Sequence, residues 1–269
     1  MRRLGINLLG FEKGISLEDR ARMMKEVGFE ATFTGVAQTA SRQAEIAEAL
    51  AKHGIFYESL HAPFDRMNDI WLDVEGGQLM LDELKTSVDR CAMVNAPILV
   101  VHLSNTCTPP PPTDMGRRRF IEFVEYAATK NVKIAFENMR SLANIAWAFE
   151  EFDQAENVGF CWDCGHEYCF TPGLHFMPLF GKKLIITHIH DNNREYDRDR
   201  HLIPFDGDLP FDLITKQIKE SGFKGTLMLE TFPRYQEGIF DSYQDYTIEK
   251  YLIRSAEAAK KLRTMIDGE

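Results

Sequence analysis

Six short apolar segments of this chain each end in a side chain able to bind a metal or move a proton. They read Glu58-Ser59-Leu60-His61, Val100-Val101-His102, Ala135-Phe136-Glu137-Asn138, Cys161-Trp162-Asp163-Cys164-Gly165-His166, Thr187-His188-Ile189-His190-Asp191 and Met228-Leu229-Glu230. Side chains alternate faces along a strand. Counting back by twos from Glu137 reaches Ala135, from Asp163 reaches Cys161 and Gly159, and from Glu230 reaches Met228 and Thr226. The opposite parity is more apolar, with Ile134, Phe136, Ile185, Leu227 and Leu229. Glu137, Asp163, His188, Glu230, His61 and His102 can therefore face one common space. Three carboxylates converging there repel unless they are protonated or a cation neutralises them. Neutral imidazoles supply no positive charge, but they join carboxylates around a metal. A mixed His and carboxylate shell suits Zn, Mn, Fe or Co, and Mg where carboxylates dominate.

The elements that must position these groups alternate along the chain. Strand patterns cover Leu4–Leu9, Ala31–Thr34, Phe56–Leu60, Ile98–His102, Lys133–Glu137, Val158–Asp163, Leu184–His188 and Thr226–Glu230. Helical patterns begin at Ser16, with Asp19 placed as in a capping box, and cover Ser41–His53, Gln78–Asn95, Asp114–Lys130, Leu142–Ala155, Phe211–Ser221 and Asp245–Ile266. Pro172 to Gly181 carries the faintest helical pattern. Gly28, Gly54 and Gly222 are natural helix stops. Repeated βα units imply a parallel sheet, because parallel strands need crossovers. Eight units within 269 residues fit an α/β fold of the (β/α)8 TIM barrel type, a single domain over 1–269. The alternative, an open doubly wound sheet, would carry a Gly-rich phosphate turn that Gly5-Ile6-Asn7-Leu8-Leu9-Gly10 does not match. Barrel enzymes place catalytic groups at the C-terminal strand ends, where all six motifs fall. The polar stretch Asn192–Gly207 is a long loop at that same face.

A net charge of −10 leaves no surplus of Lys and Arg for phosphates, which argues against nucleic acid and anionic membranes as partners. Five loosely spaced cysteines make no disulfide framework and suit a reducing cytosol. With no signal-peptide pattern at Met1-Arg-Arg-Leu-Gly and no apolar run long enough to span a membrane, the expectation is a cytoplasmic protein.

The motifs together resemble the xylose-isomerase-like barrels, a superfamily of sugar isomerases and epimerases, inosose dehydratase and endonuclease IV. The resemblance runs from Leu4 to about Glu230. It rests on His61, His102, Glu137-Asn138, Asp163-x-x-His166, His188-x-x-Asp191, Asp199-Arg200-His201 and Glu230. It implies one divalent metal (Mn, Zn, Co or Mg) on Glu137, Asp163, His188 and Glu230. It also implies that Glu137 and Glu230 move protons, while His61, His102, His166 and Arg200 meet the substrate. Endonuclease IV uses a fuller set for three zinc ions, and its positions match His61, His102, His166, Asp199 and His201 in addition. Those five positions are thus open to further metal or to substrate. The segment Leu9–Gly14 does not look like the basic DNA-facing loop of endonuclease IV.

The implied activity is isomerisation or epimerisation of a sugar or sugar phosphate, by proton transfer beside a carbonyl through a metal-stabilised enediolate. The alternatives are inosose dehydratase-like lyase chemistry, an endonuclease IV-like zinc phosphodiesterase, and a non-catalytic metal or sugar binder. The expected partner is a small sugar or polyol, and family members often form homo-oligomers. Trp162, Phe64, Phe205 and Phe11 are candidates to wall the pocket, against a plainer reading as packing. His190 reads as a loop-supporting or neighbouring group, and Asp191 as a support for the His188 ring or the following loop. Arg117-Arg118-Arg119 reads as a solvated face, and Cys161-x-x-Cys164 as two thiols on opposite faces of a strand.

Overall fold

The computed structural model describes residues 1–8, 15–233 and 242–268. Its strands are β1 (Leu4–Ile6), β2 (Ala31–Gly35), β3 (Phe56–His61), β4 (Ile98–His102), β5 (Lys133–Glu137), β6 (Val158–Asp163), β7 (Leu184–His188) and β8 (Leu227–Leu229). They alternate with α1 (Leu17–Val27), α2 (Ala40–Lys52), α3 (Glu75–Val94), α4 (Asp114–Thr129), α5 (Leu142–Glu151), α6 (Cys164–Phe170), α7 (Met177–Phe180), α8 (Phe211–Ser221) and α9 (Ile248–Asp267). The strands form one sheet in the order β7-β6-β5-β4-β3-β2-β1-β8. A parallel bridge between Ile189 and Leu229 joins the two ends of that order. The fold is the (β/α)8 barrel that the alternation implies.

Several boundaries differ from the sequence pattern. Leu9 and Phe11 lie outside the described residues. Helix α3 starts at Glu75, ahead of Gln78, and a short 3-10 helix, Met67–Trp71, precedes it. Helix α6 had no helical signal, because all seven of its residues are buried and no polar face marks a period. Cys164 consequently opens a helix rather than continuing the strand, and both Cys161 and Cys164 are buried. The Ser16 cap is as expected, its hydroxyl accepting from Asp19 N at 3.0 Å.

The chain divides into two compact units. One holds Gly35–Ala44 and Glu58–Cys161. Its core is a run of aromatic rings: Trp71 lies 5.0 Å from Phe120 and 4.9 Å from Trp147, and Phe136 packs on Phe120 and Phe152. Arg119 is buried against this core, contrary to the solvated face expected for the Arg117–Arg119 run. Its guanidinium donates to the carbonyls of Ile70 (3.0 Å) and Leu72 (2.6 Å), closing the 3-10 helix. Arg119→Ala strands those carbonyls and removes packed methylenes, so a loss of about 2–3 kcal/mol is expected. The check is a lower denaturant midpoint at unchanged m-value.

The other unit holds Met1–Thr34, Glu45–Tyr57 and Trp162–Glu269. Strands β1 and β8 pair in register, Gly5 opposite Met228. Ala31, Phe33 and Met228 form a small apolar cluster, and Phe33 stacks on His188 at 4.5 Å. Thr226, Met228 and Glu230 thus share a side, as the alternation requires. Tyr251 of α9 donates to the Thr231 hydroxyl at 2.6 Å, tying the last helix to the chain just after Glu230. Among the described residues, no helix is long and apolar enough to cross a membrane.

Candidate metal centre

Strand β6 runs into α6 without a loop, and Asp163 serves both elements. It ends the strand and caps the helix, its Oδ1 accepting from His166 N at 2.6 Å. That cap sets His166 in the first turn, facing back along the chain. At the other edge of this unit, Glu230 N donates to Ile189 O at 3.0 Å and Ile189 N to Met228 O at 2.8 Å. These bonds bring the residues just past β7 and β8 level. His188 Nδ1 then stands 3.1 Å from Glu230 Oε2. Asp163, His188 and Glu230 each offer a ligand atom within 4.8 Å of the others, all three buried.

The loop after β7 carries the second group of this unit. Asp191 is fully buried and its carboxylate accepts four backbone N–H bonds. Oδ1 takes Asn192 (2.8 Å) and Leu209 (3.0 Å), and Oδ2 takes Phe205 (2.9 Å) and Gly207 (2.9 Å). Burial pushes this carboxyl above its ordinary range, and the four donors pull against that. A Cβ on Gly207 would meet Asn192 O at 2.6 Å, so only glycine lets the backbone come this close. The clamp supports a strained turn in which Arg194, Asp197, His201 and Phe205 all have positive φ (59°, 59°, 44° and 75°).

The same loop turns Asp199 and His201 inward. His166 Nε2 lies 3.1 Å and His201 Nε2 2.9 Å from Asp199 Oδ2, and His190 Nε2 lies 3.6 Å from Asp199 Oδ1. Burial alone would raise the Asp199 carboxyl, but His201, His190 and His166 hold it well below the usual range. Burial would likewise lower the His190 imidazole, yet Asp163 and Asp199 outweigh it and lift the group to about 9. Arg200 is half-buried, and its Nε has no hydrogen-bond partner among the described residues.

In the first unit, His61, His102 and Glu137 converge. His61 Nε2 stands 3.1 Å from Glu137 Oε2 and 3.2 Å from His102 Nε2, and His102 Nε2 stands 3.1 Å from Glu137 Oε2. Phe64 stacks on His102 at 4.6 Å and sets its edge against His61, while staying partly exposed.

Ring tautomers reveal what these clusters need. His61 Nδ1 lies 2.8 Å from Ala62 O, and His201 Nδ1 lies 2.9 Å from Glu230 O. A carbonyl only accepts, so both rings carry a proton on Nδ1. In the neutral ring the bare Nε2 then faces a carboxylate oxygen. Acceptor against acceptor at about 3 Å is relieved by an added proton or by a metal cation. Oriented imidazoles held by carbonyls are also how proteins present ligands to metals. The donor sets are therefore chemically suited to a divalent ion.

Each residue singled out in the sequence can now be placed. Glu137, His61 and His102 meet in one unit, while Asp163, His188, Glu230, His166, Asp199 and His201 lie in the other, with Arg200 beside them. Asp191 supports the loop rather than the His188 ring. Trp162 is fully buried and its indole donates to Glu167 Oε2 at 2.9 Å, in keeping with the plainer reading as packing. Glu167 escaped the sequence reading. This buried carboxylate also accepts from Phe176 N (2.9 Å) and meets His175 Nδ1 (2.8 Å), so it fastens the turn after α6. Phe205 is half-buried, with the Lys261 ammonium 3.8 Å from its ring centroid.

Solved structures share this fold across nearly the whole chain. A D-tagatose 3-epimerase-like protein superposes with a TM-score of 0.72 at 19% identity, covering 99% of this chain and 98% of that one. D-psicose 3-epimerase determined with D-fructose gives 0.76 at 14% identity over 98% and 99%. The 3-keto-D-glucoside 4-epimerase YcjR of E. coli gives 0.72 at 18% identity over 98% and 100%. At these identities the likeness is one of fold. Two sequence relatives are uncharacterised proteins: y4fM of Sinorhizobium fredii, 33% identical over 55% of this chain and 51% of that protein, and MJ1311 of Methanocaldococcus jannaschii, 25% identical over 64% and 63%. The chain thus spans about half to three-fifths of those relatives' lengths. A family model matches residues 21–262, and the chain belongs to the xylose isomerase-like TIM barrel family.

Proposed function

We propose that this protein is a divalent-metal-dependent sugar isomerase or epimerase. The observation that carries the proposal is the pair of carboxylates, buried Glu137 and half-buried Asp199, faced by imidazoles whose Nδ1 atoms point at backbone carbonyls. The sugar epimerases among the similar structures support the substrate class.

The proposed ion ligands are Glu137, Asp163, His188 and Glu230. Asp163, His188 and Glu230 offer ligand atoms within 4.8 Å of one another in one unit, and Glu137 is a buried carboxylate of the other. When bound, the ion supplies Lewis-acid polarisation of the substrate carbonyl and a neighbouring hydroxyl. Glu137 and Glu230 are the proposed proton carriers. One removes the proton beside the carbonyl. In epimerisation the other returns it on the opposite face, and in isomerisation one base returns it to the adjacent carbon. His166 and Arg200 are the proposed holders of substrate hydroxyls, and the Arg200 Nε has no hydrogen-bond partner among the described residues. His61 and His102 lie beside Glu137, under Phe64, and are the proposed contacts on that side.

One observation favours a second reading. His61 and His102 beside Glu137, and His166, His190, Asp199 and His201 together, are donor groups beyond a single ion's needs. They suit a polynuclear zinc phosphodiesterase. The discriminating experiment strips metal with a chelator, restores single ions, and assays ketoses, inososes and abasic-site DNA. Sugar turnover that vanishes on chelation and returns with one ion per chain is expected. DNA cleavage without sugar turnover, at three ions per chain, would replace this reading with the hydrolase. Inosose dehydration alone would reassign the reaction as a lyase.

A further inference from the structure

His190 shares its parity with His188 but lies beyond the end of β7, and its ring is fully buried. Its Nε2 stands 3.0 Å from Asp163 Oδ1. Its ring lies flat on His201, centroids 4.1 Å apart. The proton placement differs from that of His61 and His201. Their Nδ1 atoms sit 2.8 and 2.9 Å from a carbonyl, whereas His190 Nδ1 is 3.4 Å from Asp191 O. The short contact of His190 is on Nε2, to a carboxylate. Neutral or charged, the ring carries a proton there and donates it. Nε2 then serves as a hydrogen-bond donor to Asp163, although the ring also lies among the donor atoms of His166, Asp199 and His201.

The slot that admits this ring is cut by Gly165. A Cβ at that position would lie 1.8 Å from His190 Cε1. Gly165 sits inside α6, outside the left-handed region, so its backbone does not demand glycine. The neighbouring ring does.

We propose that His190 is a positioning residue for Asp163. With the His166 amide (2.6 Å) it takes two donor contacts to Oδ1, which locks the carboxylate and assigns Oδ2 to the ion. Through its stack on His201 it also couples that carboxylate to the β7–α8 loop. The inference rests on the reading of Asp163 as a metal ligand.

The test is calorimetric titration of metal-stripped protein with Mn²⁺ or Co²⁺, with the thermal midpoint of the metal-free form measured alongside. His190→Ala is expected to weaken binding about 10–100-fold at an unchanged number of ions. His190→Gln keeps an N–H at the position of Nε2 and should recover much of that loss. Gly165→Ala should weaken binding too, by evicting the ring, and the double variant should be no weaker than either single one. A merely structural His190 would lower the thermal midpoint and leave affinity unchanged, which overturns the proposal. Loss of one whole ion from the stoichiometry would make His190 a ligand and also overturn it. Absence of binding by the unaltered protein would instead sink the metal reading itself, a result distinct from either.

Discussion

Glu137→Gln is expected to cut turnover by about 10²–10⁴-fold, the range that a positioned acid or base contributes, while the metal-free protein keeps its fold. The argument concerns charge more than shape. Glutamine occupies nearly the same volume at this buried site but cannot take up a proton. It also brings an N–H towards His61 Nε2, which now faces a carboxylate oxygen at 3.1 Å. Removing that acceptor–acceptor contact should hold the metal-free thermal midpoint level or raise it. Stabilisation by added Mn²⁺, which grows with affinity for the native state, should shrink. Kinetics and two thermal scans, with and without ion, decide the matter. Full activity in this variant would refute the assignment of Glu137.

The second large effect lies in the β7–α8 loop. Asp191→Asn keeps one acceptor oxygen and puts an NH₂ where the other stood. Two of the four backbone N–H groups then lose their acceptor and face a donor. Each buried orphan costs about 1–3 kcal/mol, so a loss near 4 kcal/mol and a fall in melting temperature of about 10 °C are expected. Turnover should fall as well, because Arg200 and His201 travel with this loop. Hydrogen exchange is the sharper readout, with faster exchange confined to the pair of amides that loses its acceptor, Asn192 and Leu209 or Phe205 and Gly207. Unchanged exchange there would mean that Tyr243, which donates to Asp206 Oδ2 (2.9 Å) and accepts from Ile203 N (2.9 Å), holds the loop without Asp191.

Much of this was readable from residue types and spacing. Period-two alternation placed β3 to β8 closely, because each is short, apolar and bounded by turn residues or a polar end. The same parity predicted that Thr226, Met228 and Glu230 share a side, and the Phe33–Met228 cluster under His188 agrees. What escaped depends on tertiary surroundings. Helix α6 is buried on every side, so no polar face announced it. Arg119 carries the same charge as Arg117 and Arg118, and only the nearby 3-10 helix makes it a buried donor. Asp163 reads from sequence as a strand-end carboxylate, but its cap to His166 N exists only because the helix begins at once. Gly165 gave no signal of its own, since the ring that needs its empty space arrives from 25 residues later in the chain.

The Asp191 clamp has a bearing on how such a protein diversifies. All four of its bonds go to main-chain amides, and a main-chain amide is the same whatever side chain follows it. Selection can therefore rewrite the side chains of residues 193–198 while the segment stays pinned, provided Gly207 is kept and Asp199, Arg200 and His201 hold their places. If the proposed function holds, variation in substrate preference should concentrate in that stretch, and it is the natural place to randomise.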